Sequence, residues 1–150
     1  MTLRDRLDAG LKDAMRERDA VRLGTLRLIN AALKDQDIAL RVEGRSVGDA
    51  EATAILSKMV KQRRESARAY EEGGRLELAE KELAEIAVIE EFLPRRLTEA
   101  EARAAVEDAV ARTGATSLRD MGRVMGVLKD RHAGQMDFRD AGAMVKARLG

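Results

Sequence analysis

What this chain lacks narrows its chemistry before any motif is considered. In 150 residues it has no cysteine and no tryptophan, one proline, one tyrosine and two phenylalanines. The absence of cysteine excludes disulfides and thiolate catalysis and suits a reducing cytoplasm. Because aromatic side chains are so few, any core must be aliphatic. With a single proline and no sustained strand-like alternation, the composition predicts an all-α protein.

Groups that could perform catalysis or hold a metal are also scarce. The only histidine, His132, stands beside a predicted turn and is more typical of a helix end than of a catalyst. There is no phosphate-binding P-loop, no nucleophile-elbow serine and no histidine or cysteine cluster suited to a transition metal. No segment approaches the ~18 apolar residues of a membrane span. We therefore expect a cytoplasmic helical protein with no cofactor and no metal that is not an enzyme by itself.

Helix-start signals predict seven helices. Six of them begin with a Ser, Thr or Asp that precedes apolar residues at three-and-four spacing, and Ser46 with Asp49 resembles a capping box. The remaining helix begins near Arg75, after two glycines that end the helix before it. The six candidate N-cap residues are Thr2, Asp19, Ser46, Thr98, Ser117 and Asp137.

Pro94 marks the predicted boundary between two domains. Residues 1–93 are predicted to form an N-terminal four-helix domain of helical hairpins, and residues 94–150 a small three-helix tail domain. The part before Pro94 has 17 basic and 19 acidic residues, and the part after it has 11 and 8. This mild positive balance favours an anionic partner for the tail.

Apolar periodicity predicts which side chains are buried in the first domain. Leu28, Ala31 and Ile38 widen the apolar face of the second helix, which is therefore expected to touch more than one neighbour. Leu83 lies on the predicted buried stripe of the fourth helix. Arg63 lies four residues after Met59 on the apolar stripe of the third helix.

Ionic patterning adds two predictions for the third helix. Arg63 is expected to be partly buried and paired with Glu82 or Glu85 of the fourth helix. Four other cations form a basic ridge at steps of three, three and four, which is either an ordinary solvated face or an extension of a nucleic-acid surface. No aromatic residue interleaves them, so base stacking is not expected. The ridge consists of Lys58, Lys61, Arg64 and Arg68.

The strongest functional signal lies in residues 120–129, which read as a helix containing two glycines. Gly122 and Gly126 are four residues apart and share one face, and each costs a helix interior about 1 kcal/mol relative to alanine. This cost suggests that something comes close to the backbone. One candidate is a neighbouring helix. The other is a nucleic-acid backbone, because Arg123 and Lys129 add positive charge.

Five stretches, taken together and in order, resemble the YqeY family from Met1 to Gly150. The resemblance implies an N-terminal helical domain followed by a three-helix tail. That tail is similar to the C-terminal domain of the B subunit of the glutamine-dependent Asp/Glu-tRNA amidotransferase, which contacts the outer elbow of tRNA. A related module is appended to some glutaminyl-tRNA synthetases. The stretches are TLRLI (25–29), KQRRES (61–66), AEKE (79–82), EIAVIEEFLP (85–94) and DMGRVMG (120–126).

The resemblance implies a non-catalytic, tRNA-binding accessory protein of translation. Family members are associated with carbon–nitrogen ligase activity that uses glutamine as amido-N-donor, but this chain carries no ATP site or amidase motif of its own. Two alternatives stay open. The chain could be a protein-interaction adaptor with no RNA role, or a component of an amidotransferase complex whose active site lies on a partner. The implied partners are tRNA and a tRNA amidotransferase or aminoacyl-tRNA synthetase component.

The resemblance also implies a set of RNA-binding residues. The turn after the glycine-bearing helix departs from the Lys-Gly-Arg-like pattern of relatives, because Ala133 and Gln135 stand where two cations are expected. Each lost phosphate contact lowers the salt dependence of RNA binding by about one unit of slope. The implied residues are Gly122, Arg123, Val124, Met125, Gly126, Lys129, Arg131 and Gly134.

Overall fold

The computed structural model describes residues 1–150, and all of its regular structure is helical. This confirms the all-α prediction. No helix is long and apolar enough to cross a membrane. A short 3-10 turn, Leu118–Asp120, precedes the sixth helix. The helices are α1 (Leu3–Glu17), α2 (Ala20–Arg41), α3 (Asp49–Glu72), α4 (Leu76–Glu90), α5 (Glu99–Thr113), α6 (Met121–Arg131) and α7 (Phe138–Leu149).

The chain folds into two compact units, Met1–Pro94 and Arg95–Gly150. The first contains α1 to α4 and the second contains α5 to α7. In the first unit an aliphatic core fills the space between the helices, with Leu7, Leu26, Ile29, Leu33, Leu56 and Ile89 almost fully buried.

Local capping explains where most helices begin. The Thr2, Asp19 and Asp137 side chains accept hydrogen bonds from the first turns of α1, α2 and α7, as predicted. Thr98 opens α5 with a complete capping box. Its Oγ1 accepts from the Glu101 backbone N–H at 3.2 Å, and the Glu101 carboxylate accepts from the Thr98 N–H at 3.0 Å.

The predicted cap of α3 is wrong by two residues. The helix begins after Gly48, whose backbone N–H donates to the Glu51 carboxylate at 3.1 Å. Val47 is buried in the core with only 4% of its surface exposed, and this keeps Ser46 outside the helix. The Asp49 carboxylate accepts instead from the Leu3 N–H, at 3.1 Å. Asp49 therefore ties the start of α1 to the start of α3.

Helices α3 and α4 pack together along most of their length, and the two glycines predicted to separate them do so. Gly74 adopts a positive φ of 72°, which glycine tolerates without strain. Arg63 Nε donates to Glu85 Oε2 at 2.9 Å, and both side chains are only 15% exposed. The predicted partly buried pair between Arg63 and Glu85 is therefore confirmed.

The prediction that the second helix touches more than one neighbour is confirmed, since α1, α3 and α4 all contact α2. Four apolar side chains on the predicted stripes of α2 and α4 are nevertheless exposed. Leu28 and Ile38 of α2 are 49% and 59% exposed, and Leu83 of α4 is 48% exposed. Ala31 is exposed as well. The buried residues of α2, such as Leu26 and Ile29, lie on a different face, because α1, α3 and α4 cover that face alone.

The second unit is a three-helix arrangement around a small aliphatic core. The chain entering α5 is held by the turn between α6 and α7, because the Leu97 N–H donates to the Gln135 carbonyl at 2.8 Å. The Gln135 side-chain amide donates in turn to the Arg95 carbonyl at 3.1 Å. Gly114 ends α5 with a left-handed φ of 65°, as a C-cap glycine does. The core residues include Val106, Ala109, Val124, Leu128, Ala141 and Val145.

Candidate nucleic-acid interface

The two glycines of α6 face solvent. Both are exposed, and a Cβ atom built on either one would meet no atom of the chain within 4 Å. No neighbouring helix therefore needs the missing side chains in order to pack. The packing explanation for Gly122 and Gly126 is wrong, and a strip of bare helix backbone remains open.

The opposite side of α6 packs into the core of the second unit. Val124 and Leu128 have no exposed surface. Met125 is half-buried, and its methyl carbon would lie 3.9 Å from a Cβ atom on Gly142 of α7. Val124 was among the implied RNA-binding residues, but a fully buried side chain cannot contact a ligand. Its place in the motif reflects core packing.

A cation stands at each end of the bare strip. Within α6, Gly122, Gly126 and Lys129 follow at steps of four and three and share one face. Arg119 stands in the 3-10 turn just before the helix, three residues ahead of Gly122. Both cations are exposed, and neither makes an ion pair or a side-chain hydrogen bond within the chain. Sequence reasoning missed Arg119, although its spacing from Gly122 was visible. We call these four residues the glycine face.

Arg123 is held in place beside the glycine face. Its Nη1 donates to the Thr113 carbonyl at 3.0 Å, and its Nη2 donates to the Asp120 carboxylate. The side chain nevertheless remains 59% exposed. Arg123 is therefore a positioned cation whose charge is partly neutralised, unlike Lys129.

Asp120 organises the start of α6. Its carboxylate accepts from the Thr116 and Ser117 N–H groups as well as from Arg123. The Thr116 amide, followed by the Arg123 guanidinium, holds the pKa of Asp120 below its usual value. Ser117 thus accompanies the helix start as predicted, but the carboxylate supplies the hydrogen bonds.

Two other implied residues lie away from this face. Arg131 is exposed but follows Val124 by seven residues, so it lies on the side of α6 that carries Val124. Gly134 has a φ of 77° and serves the turn after α6, where His132 Nδ1 lies 3.1 Å from Gln135 Oε1. That turn is occupied by its own hydrogen bonds and presents no cation.

The basic ridge belongs to the first unit and stays largely unpaired. Lys58, Lys61 and Arg68 are exposed and make no ion pair, whereas Arg64 lies 3.3 Å from the Glu90 carboxylate. The ridge is therefore a cationic surface of three free side chains and one paired side chain.

A pocket in the second unit is unsuited to an anion. It has a volume of about 240 Å³ and lies between the starts of α5 and α7. Glu99, Asp137 and Asp140 line it, against a single cation, Arg96. Phosphate is repelled by such a rim. The glycine face is thus the better candidate for an anionic ligand in this unit.

Comparison with known families identifies the chain. A family model described as Yqey-like protein matches residues 4–149. The chain belongs to the YqeY family. A comparison with curated proteins gave no match. The YqeY match includes both compact units and the whole glycine face.

Proposed function

We propose that this YqeY-family chain is a non-catalytic accessory protein that binds the backbone of tRNA through the glycine face of α6. The observation that carries the proposal is the open space over Gly122 and Gly126. Gly126 lies in the helix interior, where glycine costs about 1 kcal/mol relative to alanine, and no contact within the chain offsets that cost. A ligand that approaches the backbone closely would offset it.

The cations at the ends of the strip suit a sugar-phosphate chain. Lys129 lies seven residues after Gly122, or roughly 10 Å along the axis of α6 at 1.5 Å per residue, and Arg119 stands in the turn before Gly122. The two cations can therefore reach separate phosphates while the strand crosses the bare backbone between them. Arg123 adds a third, positioned guanidinium. Contacts of this kind fix a nucleic acid without reading its sequence.

The absence of exposed aromatic side chains on α6 defines the mode of recognition. Bases find no aromatic ring to stack on here, since the face offers glycine, arginine and lysine only. Recognition of a folded RNA then rests on shape and on phosphate contacts. We expect little dependence on base sequence and a marked dependence on salt.

The proposal extends to domain organisation. We propose that residues 1–93 form a four-helix domain and residues 94–150 a three-helix tail domain that folds independently. On this view the tail has the role of the amidotransferase B-subunit tail, which docks RNA while the amidation chemistry occurs elsewhere. A partner carrying that chemistry would make this chain a docking component of a cytoplasmic complex.

The first test is a titration of labelled total tRNA with the full chain at two salt concentrations, with duplex DNA as competitor. The proposal requires saturable, salt-sensitive binding that DNA does not displace. The double variant Arg119→Glu, Lys129→Glu should bind several-fold more weakly, with a salt slope smaller by about two units. These two side chains make no bonds within the chain, so the variant should stay folded.

The matched control reverses two positive charges that lie in the same unit but outside the glycine face. Arg131→Glu, Lys146→Glu changes the net charge equally, and both side chains are exposed. It should weaken binding less than the test variant. A second probe, Gly126→Leu, fills the bare strip without changing charge and should also weaken binding. Unchanged binding by Gly126→Leu and by the charge variant, with helicity intact, would refute the proposal.

A further inference from the structure

A second unpartnered surface lies on α2, in the first unit. Apolar or small residues repeat along its exposed side at steps of three and four, with one aspartate among them. The large ones are well exposed, Val21 at 51%, Leu28 at 49% and Ile38 at 59%. A Cβ atom on Gly24 would meet nothing within 4 Å. We call this surface the α2 stripe; it consists of Val21, Gly24, Leu28, Ala31, Asp35 and Ile38.

A row of cations borders the α2 stripe along one edge. Arg27, Lys34 and Arg41 follow at steps of seven, and all three are exposed. None makes an ion pair. The remaining cation of the helix, Arg22, is paired with Glu91. We call these three residues the α2 basic row.

This pattern is that of one strand of a coiled coil. In a coiled coil, one helix recognises another through apolar residues that repeat every seven positions and through flanking charges with the same repeat. The small residues Gly24 and Ala31 allow a partner helix to approach closely. Asp35 interrupts the seam with one charge, a device that fixes register when the partner supplies the complement.

We infer that the α2 stripe docks an acidic amphipathic helix of a partner protein. Its apolar side would cover Val21, Leu28 and Ile38, and its flanking carboxylates would face the α2 basic row. The inference concerns the first unit and does not depend on RNA binding by the tail.

Charge complementarity argues against the other occupants. A second copy pairing through α2 in antiparallel fashion would set one basic row against the other. A parallel pair would set the row against Thr25, Ala32 and Ala39, which offer no acid. A nucleic acid could contact the cations, but its polar backbone would lie against Leu28 and Ile38. Protein–nucleic acid interfaces are strongly polar, so these two apolar side chains do not suit one.

The test uses two synthetic helical peptides of about three heptads. Both have a leucine seam with one lysine to face Asp35, and they differ only in whether the flanking positions carry glutamate or lysine. Titrated into the full chain and followed by fluorescence anisotropy, the glutamate peptide should bind saturably. The lysine peptide should bind more weakly by about tenfold or more, because its flanking lysines would face the cations of the α2 basic row.

Three variants identify the surface. Arg27→Glu, Lys34→Glu, Arg41→Glu should invert the peptide preference. Leu28→Glu, Ile38→Glu should abolish binding of both peptides. Circular dichroism should show both variants folded, because the altered side chains are exposed. The matched control, Lys58→Glu, Lys61→Glu, Arg68→Glu, changes the charge equally on α3 and should keep the preference for the glutamate peptide.

Several results would overturn the inference. Equal binding of both peptides, or of neither at millimolar concentration, would show that the stripe does not select an acidic helix. Sedimentation of the chain as a dimer that Leu28→Glu, Ile38→Glu dissociates would identify a second copy as the occupant. Binding to vesicles containing anionic lipid, lost in the same variant, would identify a membrane surface instead.

Discussion

Helices α1 and α6 each contain glycine in their interior, yet the surroundings of these glycines are opposite. A Cβ atom on Gly10 of α1 would lie 3.0 Å from Cζ of Phe92, tighter than most carbon–carbon contacts, so the ring would have to shift to accept it. A Cβ atom on Gly122 or Gly126 of α6 would meet nothing. Gly10 and Gly126 lie in helix interiors, where glycine costs about 1 kcal/mol relative to alanine, and Gly122 is the second residue of α6. Only in α1 does the chain itself use the space.

The contact at Gly10 shows what a helix glycine can accomplish. Phe92 is buried, with only 6% of its surface exposed. The guanidinium groups of Arg6 and Arg22 lie 5.6 and 5.9 Å from the ring centroid. The missing side chain thus admits an aromatic ring and its two cation–π partners. On α6 no atom of the chain makes an equivalent close approach.

Filling the closed glycine should have the largest effect. Gly10→Leu forces a branched side chain into the Phe92 ring, and overpacking of this kind typically costs about 1–3 kcal/mol. Urea unfolding should show a lower midpoint, and hydrogen exchange should accelerate in α1. The matched control is Gly24→Leu on α2, where the space is open. An equal loss of stability in both variants would contradict the comparison.

The sequence predicts helices and their ends better than it predicts which faces are covered. Thr98 and Glu101 define the start of α5 because both partners of the capping box lie within one turn. For α3 the sequence offers two candidate N-caps, Ser46 and Gly48, each followed three residues later by an acid. Only the burial of Val47 decides between the two helix starts. Such a decision depends on tertiary contacts.

The candidate site shows the same limit. The spacing of Gly122 and Gly126 predicts a shared face, but not whether another helix covers it. The same uncertainty applies to Leu28, which extends the apolar face of α2 but is exposed, since periodicity defines a stripe and not the neighbour that covers it. Val124 lies inside the family motif, although it faces the core. A motif combines residues that bind with residues that pack, and only the fold separates them.

Filling the open glycines should have a smaller effect of the opposite sign. Gly122→Ala and Gly126→Ala should each raise the stability of the second unit by up to about 1 kcal/mol, because alanine is the better helix former and meets no clash. Hydrogen exchange in α6 should slow. If the bare backbone serves RNA, tRNA affinity should fall in the same variants. Lower stability would show that the face is covered by packing after all.

The smallest effect is expected from Asp120, whose carboxylate holds Arg123 beside the open glycines. Because its folded pKa is lowered, its contribution to stability is fully present above its unfolded value of 3.8 and is lost as the pH falls through the lowered folded value. Asp120→Asn should therefore lower the free energy of unfolding at neutral pH. The difference in unfolding free energy between the variant and the wild type should become smaller as the pH falls. Chemical unfolding at a series of pH values measures this.

The same substitution separates two contributions to RNA binding. Asp120→Asn removes a negative charge next to the glycine face and also releases Arg123 from its ion pair. Asp130→Asn removes a negative charge from an exposed residue of α6 that makes no ion pair. If the tethered Arg123 limits binding, the first variant should bind tRNA more tightly than the second. Equal affinities would mean that net charge alone matters, and that Arg123 already reaches phosphate from its position against Thr113.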